Sequence, residues 1–418
     1  MAILNSHDAR YKFNIGIYLL RTGLFVSITS LLPNAAVHGF LLEAGVGYVQ
    51  IGMLGSVASV ANAAGLFLFS GISDRFRKFA SYKSALAFSA AGYLVNGLSL
   101  VFLCALMPAA NASAIFFIYA GATAAYSLLT AVCNMLEMTL ILRAFPGGSV
   151  KGRLLGVSGV AASAFGVACG FIVRGAASGN EIASAVAILG ALSCAAVVAV
   201  SLLSFAFFDL NKKTEPSENE PVSSPFGVFV EIIRTPQFKW LTAPNLFRAA
   251  HFAAVFFFAA SGLGRFENSQ SLIGFIAIAV PASGIIGCLL FALIQPRAGT
   301  GSMYLGGAMT MLASVIFLAA AKTEIGFASA YFGLFLGQTV IDYSFPLGIY
   351  ETVPAETVGR FSAVRNVVYM AAFALFTFLF GIILDAAGPS ALYASACAAL
   401  VFGGGSFFAA HKIFNGKK

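Results

Sequence analysis

The most constraining feature of this sequence is a series of long apolar stretches, which short polar segments separate. A helix needs about 20 apolar residues to cross the hydrocarbon core of a bilayer, and a barrel strand needs about ten. Only 10% of the residues are charged, whereas a soluble domain carries roughly 25%. The sequence therefore predicts an all-α membrane protein, with lipid covering most of its surface.

Turn and charge signals divide the chain into twelve predicted spans. They cover residues 13–33, 47–70, 80–106, 114–142, 152–174, 182–208, 238–261, 271–294, 302–321, 326–350, 361–384 and 390–411.

The longest polar stretch, from Asp209 to Pro225, is rich in Glu, Ser and Pro and favours a flexible linker. The residues that follow it, from Phe226 to Arg234, favour a short amphipathic helix on the inner membrane surface. We therefore expect an N-terminal half of six spans (1–208), a cytoplasmic linker (209–235) and a C-terminal half of six spans (236–418).

The basic residues predict the orientation. Placing the N-terminus in the cytoplasm puts most of the 24 Lys and Arg residues in inner segments. Only Arg174, Arg265 and Lys322 then lie in outer loops. Because cytoplasmic loops carry an excess of Lys and Arg, we expect a multi-pass protein of the plasma (inner) membrane with both termini in the cytoplasm.

Several patterns argue against an enzyme. The six cysteines lie singly in apolar segments, and the four histidines are far apart, so we expect neither a metal site nor a cofactor. The sequence contains no phosphate-binding loop for ATP. The net charge of +8 is spread over many short loops, which membrane topology explains without a nucleic-acid partner. A receptor or scaffold without transport activity remains a rival interpretation.

The two halves share a weak internal repeat. Lys12 and Arg21 are nine residues apart at the start of span 1, and Lys239 and Arg248 have the same spacing at the start of span 7. An aromatic residue follows each lysine. These matches, in register with the six-plus-six count, indicate two parallel halves related by an axis along the membrane normal.

The loop after span 2 carries a family resemblance. It reads SGISDRFRKF, and it resembles the Gly-x-x-x-Asp-Arg motif of the major facilitator superfamily, with Asp74, Arg75 and Lys78 in matching positions. Ser70 and Arg77 stand where the motif has glycine. The resemblance implies that Asp74, Arg75 and Lys78 latch the two halves together as a gate; alternatively, these charges only fix the topology.

The same resemblance implies a central cavity lined by spans 1 and 7. Arg21 and Arg248 each lie roughly 13 Å along a helix from its inner end, near the middle of a ~30 Å core. Because a guanidinium stays charged and its fork matches carboxylate and phosphate oxygens, the pair is predicted to clamp an anion. The alternative is permanent pairing with buried carboxylates or helix carbonyls.

Other polar groups are predicted to face the same cavity. His251 lies three residues after Arg248, on nearly the same face, and could bind the solute or merely pack beside it. The remaining candidate contacts are uncharged residues of spans 1, 4, 7 and 10. These are Tyr18, Tyr126, Asn245 and Gln338.

Glu137 and Asp342 are the two carboxylates placed well inside predicted spans. An ionisable group inside a membrane is costly and is a functional hypothesis by default. We expect both residues to carry protons, and protonation would release the arginines for the solute. A purely structural salt bridge is the alternative.

These features predict a secondary active transporter of a small organic anion, carboxylate or phosphorylated, which works by alternating access as a proton symporter and a monomer. One alternative is an anion exchanger that resembles the organophosphate antiporters of the superfamily. Another is a multidrug/proton antiporter, although such proteins usually carry Gly-Pro in the fifth helix, where this chain has Gly170 followed by Phe171.

Overall fold

The structure, a computed structural model, describes residues 9–31, 34–69, 79–106, 111–144, 148–179, 182–208, 225–267, 269–353 and 358–415. Throughout these residues the regular elements are α-helices. They are α1 (Ala9–Leu31), α2 (Asn34–Glu43), α3 (Tyr48–Phe69), α4 (Phe79–Leu106), α5 (Ala112–Ala144), α6 (Gly148–Gly179), α7 (Ile182–Ser204), α8 (Pro225–Ile233), α9 (Pro236–Arg265), α10 (Gln270–Ala298), α11 (Thr300–Ala320), α12 (Glu324–Thr352) and α13 (Val358–Asn415).

The long helices confirm the predicted fold class. Ten stretches of the described residues are long and apolar enough to cross a membrane. One of these, in α13, covers two predicted spans, because the backbone leaves helical geometry at Gly388 (φ 74°, ψ −178°) just before Pro389. With α1 added, six long helices precede the linker and six follow it. The chain is therefore a multi-pass, all-α membrane protein.

The helix α2 was not predicted. Its ten residues lie between predicted spans 1 and 2 and rise only about 15 Å, which is too short to cross a bilayer. The side chains of Phe40 and Leu41 nevertheless have at most 1% of their surface exposed. The chain then turns at Gly45, whose φ of 82° suits glycine, and α2 packs back against α9 and α7.

The helix α8 matches the short helix predicted after the linker. It is amphipathic, because Ile232 on one face is 2% exposed whereas Phe226 is 68% exposed. Whether it lies on a membrane surface stays a prediction.

The two groups of long helices meet closely at the end of the bundle where α3 and α10 begin. A Cβ atom on Gly52 of α3 would lie 2.7 Å from the Thr377 carbonyl oxygen of α13, and one on Gly170 of α6 would lie 2.5 Å from the Ala277 carbonyl oxygen of α10. Ser56 also donates a hydrogen bond of 2.7 Å to the Ala374 carbonyl. Small residues let helix backbones approach in this way, so the halves are closed against each other here.

Candidate functional site

An ion pair between α9 and α12 is the centre of the candidate site. Arg248 donates from Nη2 to Oδ1 of Asp342 across 2.6 Å. The two side chains are unequally accessible, since Arg248 is 13% exposed and Asp342 is 40% exposed. The helix α9 that presents Arg248 is capped by Thr235, whose side chain accepts a hydrogen bond from the Phe238 N–H, and it begins with proline.

Aromatic rings surround the guanidinium of Arg248. Its Cζ atom lies 5.0 Å from the ring centroid of Phe252, 5.2 Å from that of Phe345 and 4.9 Å from that of Tyr369. Each ring face attracts the cation, and the attraction grows when water is excluded. The cage therefore keeps the guanidinium in place, and Asp342 is the more exposed member of the pair.

A second arginine lies against the same cage. The Cζ atom of Arg365 is 5.2 Å from the ring centroid of Phe345. The backbone carbonyl of Arg365 also accepts a hydrogen bond of 3.2 Å from Asn245 Nδ2. The site thus brings Asn245, a predicted solute contact, next to both arginines.

Three predicted solute contacts have buried polar atoms without a partner among the described residues. These atoms are Oδ1 of Asn245, Nε2 of His251 and Oε1 of Gln338. His251 is 1% exposed, its Nδ1 lies 3.1 Å from the Phe247 carbonyl oxygen, and its ring lies 4.6 Å from that of Phe252. Gln338 lies one helical turn before Asp342 on α12.

Arg21 bonds to a residue of α7. Arg21 is fully buried, and its Nε donates a hydrogen bond of 3.1 Å to Ser204 Oγ at the end of α7. Tyr18 packs nearby in a cluster that includes Leu86, Leu136 and Phe207. Each of the two predicted clamp arginines therefore binds a residue of its own half, and their joint hold on an anion stays a prediction.

Four predicted site residues are not described in full. Asp74, Arg75 and Lys78 lie outside the described residues. The backbone of Glu137 belongs to α5, but its side chain also lies outside the described part of the chain. Their gating and proton-carrying roles stay predictions.

A separate cavity of about 360 Å³ lies beneath α2. It is bounded by α2, α3, α4 and α5, with Phe256 of α9 completing the lining. Tyr126, a predicted solute contact, lines it, and its ring lies 4.9 Å from that of Tyr93. None of the described residues that line this cavity is Asp, Glu, Lys or Arg.

His38 of α2 is a lining residue that the sequence analysis missed. Its side chain is 3% exposed, and its ring meets that of Phe256 edge-on at 4.7 Å. Burial lowers the pKa of His38 to about 4, so the imidazole is neutral at physiological pH. The sequence signal that could have identified His38 is its position in the middle of the mainly apolar stretch NAAVHGFLLE.

Comparison with known proteins shows the fold. No protein-family model matches the sequence, and no curated protein matches it significantly. The solved structure of nucleoside transporter NupG superimposes with a TM-score of 0.67, covering 97% of this chain and 100% of that chain at 12% identity. The D-xylose-proton symporter gives 0.70, with 94% and 97% coverage at 12% identity. This chain has the major facilitator fold.

A third solved structure with this fold is that of a xylose transporter. The xylose transporter XylE from E. coli, in a partially occluded inward open conformation, superimposes with a TM-score of 0.71. That comparison covers 95% of this chain and 97% of the other at 10% identity. At such identities the major facilitator fold is what these proteins share with this chain.

Proposed function

We propose that this protein is a proton-coupled secondary transporter of a small solute, and that Asp342 carries the proton. The observation that supports this most is the 2.6 Å contact between Arg248 and the more exposed Asp342. A carboxylate in a membrane segment is costly unless it has a partner or a function that uses its charge.

Protonation of Asp342 would change the site through electrostatics. Two opposite charges attract far more strongly in a protein interior than in water, so the ion pair holds α9 and α12 together while Asp342 is ionised. A proton removes that attraction and leaves Arg248 in its aromatic cage. The two protonation states therefore favour different arrangements of these helices, as coupling requires.

Alternating access supplies the transport cycle. In this fold two halves rock around a central site, and the halves of this chain are closed at the end where α3 and α10 begin. We place that end outside the cell, both termini in the cytoplasm and the protein in the plasma (inner) membrane, on the basis of the Lys and Arg distribution. A solved proton symporter and a solved nucleoside transporter with the same fold support coupling to protons and a small solute.

A small organic anion is a second candidate solute. Arg248 and Arg365 both lie about 5 Å from the Phe345 ring, with Asp342 as the carboxylate next to them. Once Asp342 is protonated, the two guanidiniums would favour a carboxylate or phosphate group. Exchange of one anion for another would then be possible without net proton movement.

Proteoliposomes that contain a pH-sensitive dye test this proposal. Sugars, nucleosides and their phosphorylated forms are added outside, one at a time, without an imposed proton gradient. A proton symporter is expected to acidify the lumen with at least one uncharged solute. Anion exchange without acidification would favour the second candidate, and no solute-dependent flux of any kind would overturn the assignment as a transporter.

A further inference from the structure

We infer that the cavity beneath α2 binds the transported solute, and that this solute is an uncharged molecule with hydrogen-bonding groups and an apolar or aromatic face. The inference rests on the proposed transport function and specifies its solute. It separates the solute site from the charged Arg248–Asp342 centre, to which we have assigned the proton.

Two buried polar atoms in the lining point to a ligand. Nδ1 of His38 and Oδ1 of Asn96 have no hydrogen-bond partner among the described residues. The side chains are 3% and 9% exposed, and both residues line the cavity. A buried polar group without a partner destabilises a protein, so a solute that bonds to these atoms would offset that loss.

The charge of the lining selects an uncharged solute. The described lining residues are apolar, aromatic, hydroxyl, amide or neutral imidazole groups, with His38 uncharged because burial lowers its pKa to about 4. An ion would lose its hydration here without gaining an opposite charge, which is strongly unfavourable. This lining therefore favours the uncharged form of a solute over its phosphorylated or carboxylated form.

Size and aromatic content select a small molecule. The volume of about 360 Å³ falls within the usual range of roughly 300–1,000 Å³ for small-molecule sites. The rings of Tyr93, Tyr126 and Phe256 face the cavity together with aliphatic side chains. Such a lining is suited to the apolar face of a sugar ring or a heterocycle, while His38 and Asn96 bind its polar edge.

One face of α9 connects the cavity to the ion pair. Arg248, Phe252 and Phe256 are spaced four residues apart, so they lie on one face over about 12 Å of helix. Arg248 packs on the Phe252 ring, and His38 packs on the Phe256 ring. A solute beside Phe256 and a proton on Asp342 would therefore act on the same helix.

Equilibrium binding to the purified full-length protein tests the inference without any gradient. The probes are two matched pairs, glucose with glucose phosphate and uridine with uridine monophosphate, titrated in a thermal-shift assay. Specific binding raises Tm by mass action. We expect at least one uncharged probe to raise Tm and its phosphorylated counterpart to have no effect.

Variants assign that binding to the cavity. His38→Ala and Asn96→Ala are each expected to weaken Kd about tenfold or more, which corresponds to about 1.4 kcal/mol. His38→Asn, which restores a polar group, is expected to recover part of the affinity, and this variant keeps the test valid if the alanine variant fails to fold. Thr310→Ala is the control, because Thr310 is half-buried outside the cavity lining and its hydroxyl donates to the Gly306 carbonyl of its own helix.

Three results would overturn the inference: no uncharged probe raises Tm, the phosphorylated probes bind as well as the uncharged ones, or the alanine variants bind like the wild type. These results are separable from failure of the transport proposal. If binding depends on His38 but proteoliposomes show no solute flux, only the proposal that the protein is a transporter would be contradicted. If a solute drives proton flux but its binding is unaffected by the His38 and Asn96 substitutions, only the assignment of the cavity as the solute site would be contradicted.

Discussion

Arg248 and Asp342 form a 2.6 Å ion pair in which the carboxylate is three times as exposed as the guanidinium, at 40% and 13%. The aromatic cage holds the arginine, whereas the carboxylate is the more exposed side chain of the pair. The pair links α9 to α12, and the proposed proton carrier is its more exposed member.

A double-mutant cycle should show that the two residues interact. Arg248→Gln and Asp342→Asn are each expected to lower the thermal stability of the purified protein, because each leaves the other charge without its partner. The double variant should lose less stability than the sum of the losses of the two single variants, and the difference, the coupling energy, should be about 0.5–3 kcal/mol. Additive losses would show that the pair does not couple these helices.

Ser204→Ala should destabilise the packing of α1 against α7. The substitution removes the acceptor for the Nε of a fully buried arginine, Arg21, and the expected decrease in unfolding free energy is about 1–3 kcal/mol. Ser201→Ala is the matched control, because its hydroxyl makes a longer contact of 3.4 Å with the Ala87 carbonyl. Equal stability of the two variants in thermal inactivation would contradict this role for Arg21.

Valine at the closed end should prevent the halves from meeting. Gly52→Val and Gly170→Val would place side-chain atoms where carbonyl oxygens of the opposite half lie. Both variants are expected to fold, to lose transport and to widen the spacing between spin labels on α3 and α13. Gly121→Val is the control, since a Cβ atom there meets nothing within 4 Å. Normal flux through the Gly52 or Gly170 variants would show that this contact is not part of the cycle.

The helix order could be predicted from the sequence because each span carries its own apolar run. The predicted break between residues 384 and 390 matches Gly388 and Pro389, since a positive φ and a proline both end regular helix. The helix α2 was not predicted because its ten residues, most of them apolar, are too few for a membrane span and too apolar for a typical loop. Its burial depends on α7 and α9, which are distant in the sequence.

The candidate site could be predicted only in part. Arg248 and Asp342 stand out because each is an ionisable residue in an apolar helix, but their pairing joins positions 94 residues apart. No local sequence pattern shows that Arg248 pairs with Asp342 rather than with Glu137. The repeat relates Arg21 to Arg248, and the structure shows Arg21 bonded to Ser204 and Arg248 bonded to Asp342. The cavity beneath α2 requires five helices and has no sequence signature of its own.

We propose that the proton on Asp342 drives solute transport. The most direct test of this proposal compares wild-type and Asp342→Asn proteoliposomes, using a solute that acidifies the lumen with the wild type and measuring both acidification and exchange of labelled for unlabelled solute. We predict that Asp342→Asn abolishes acidification and accumulation driven by a pH gradient, while exchange, which needs no net proton movement, continues. Acidification by Asp342→Asn at the wild-type ratio of protons to solute would contradict the account.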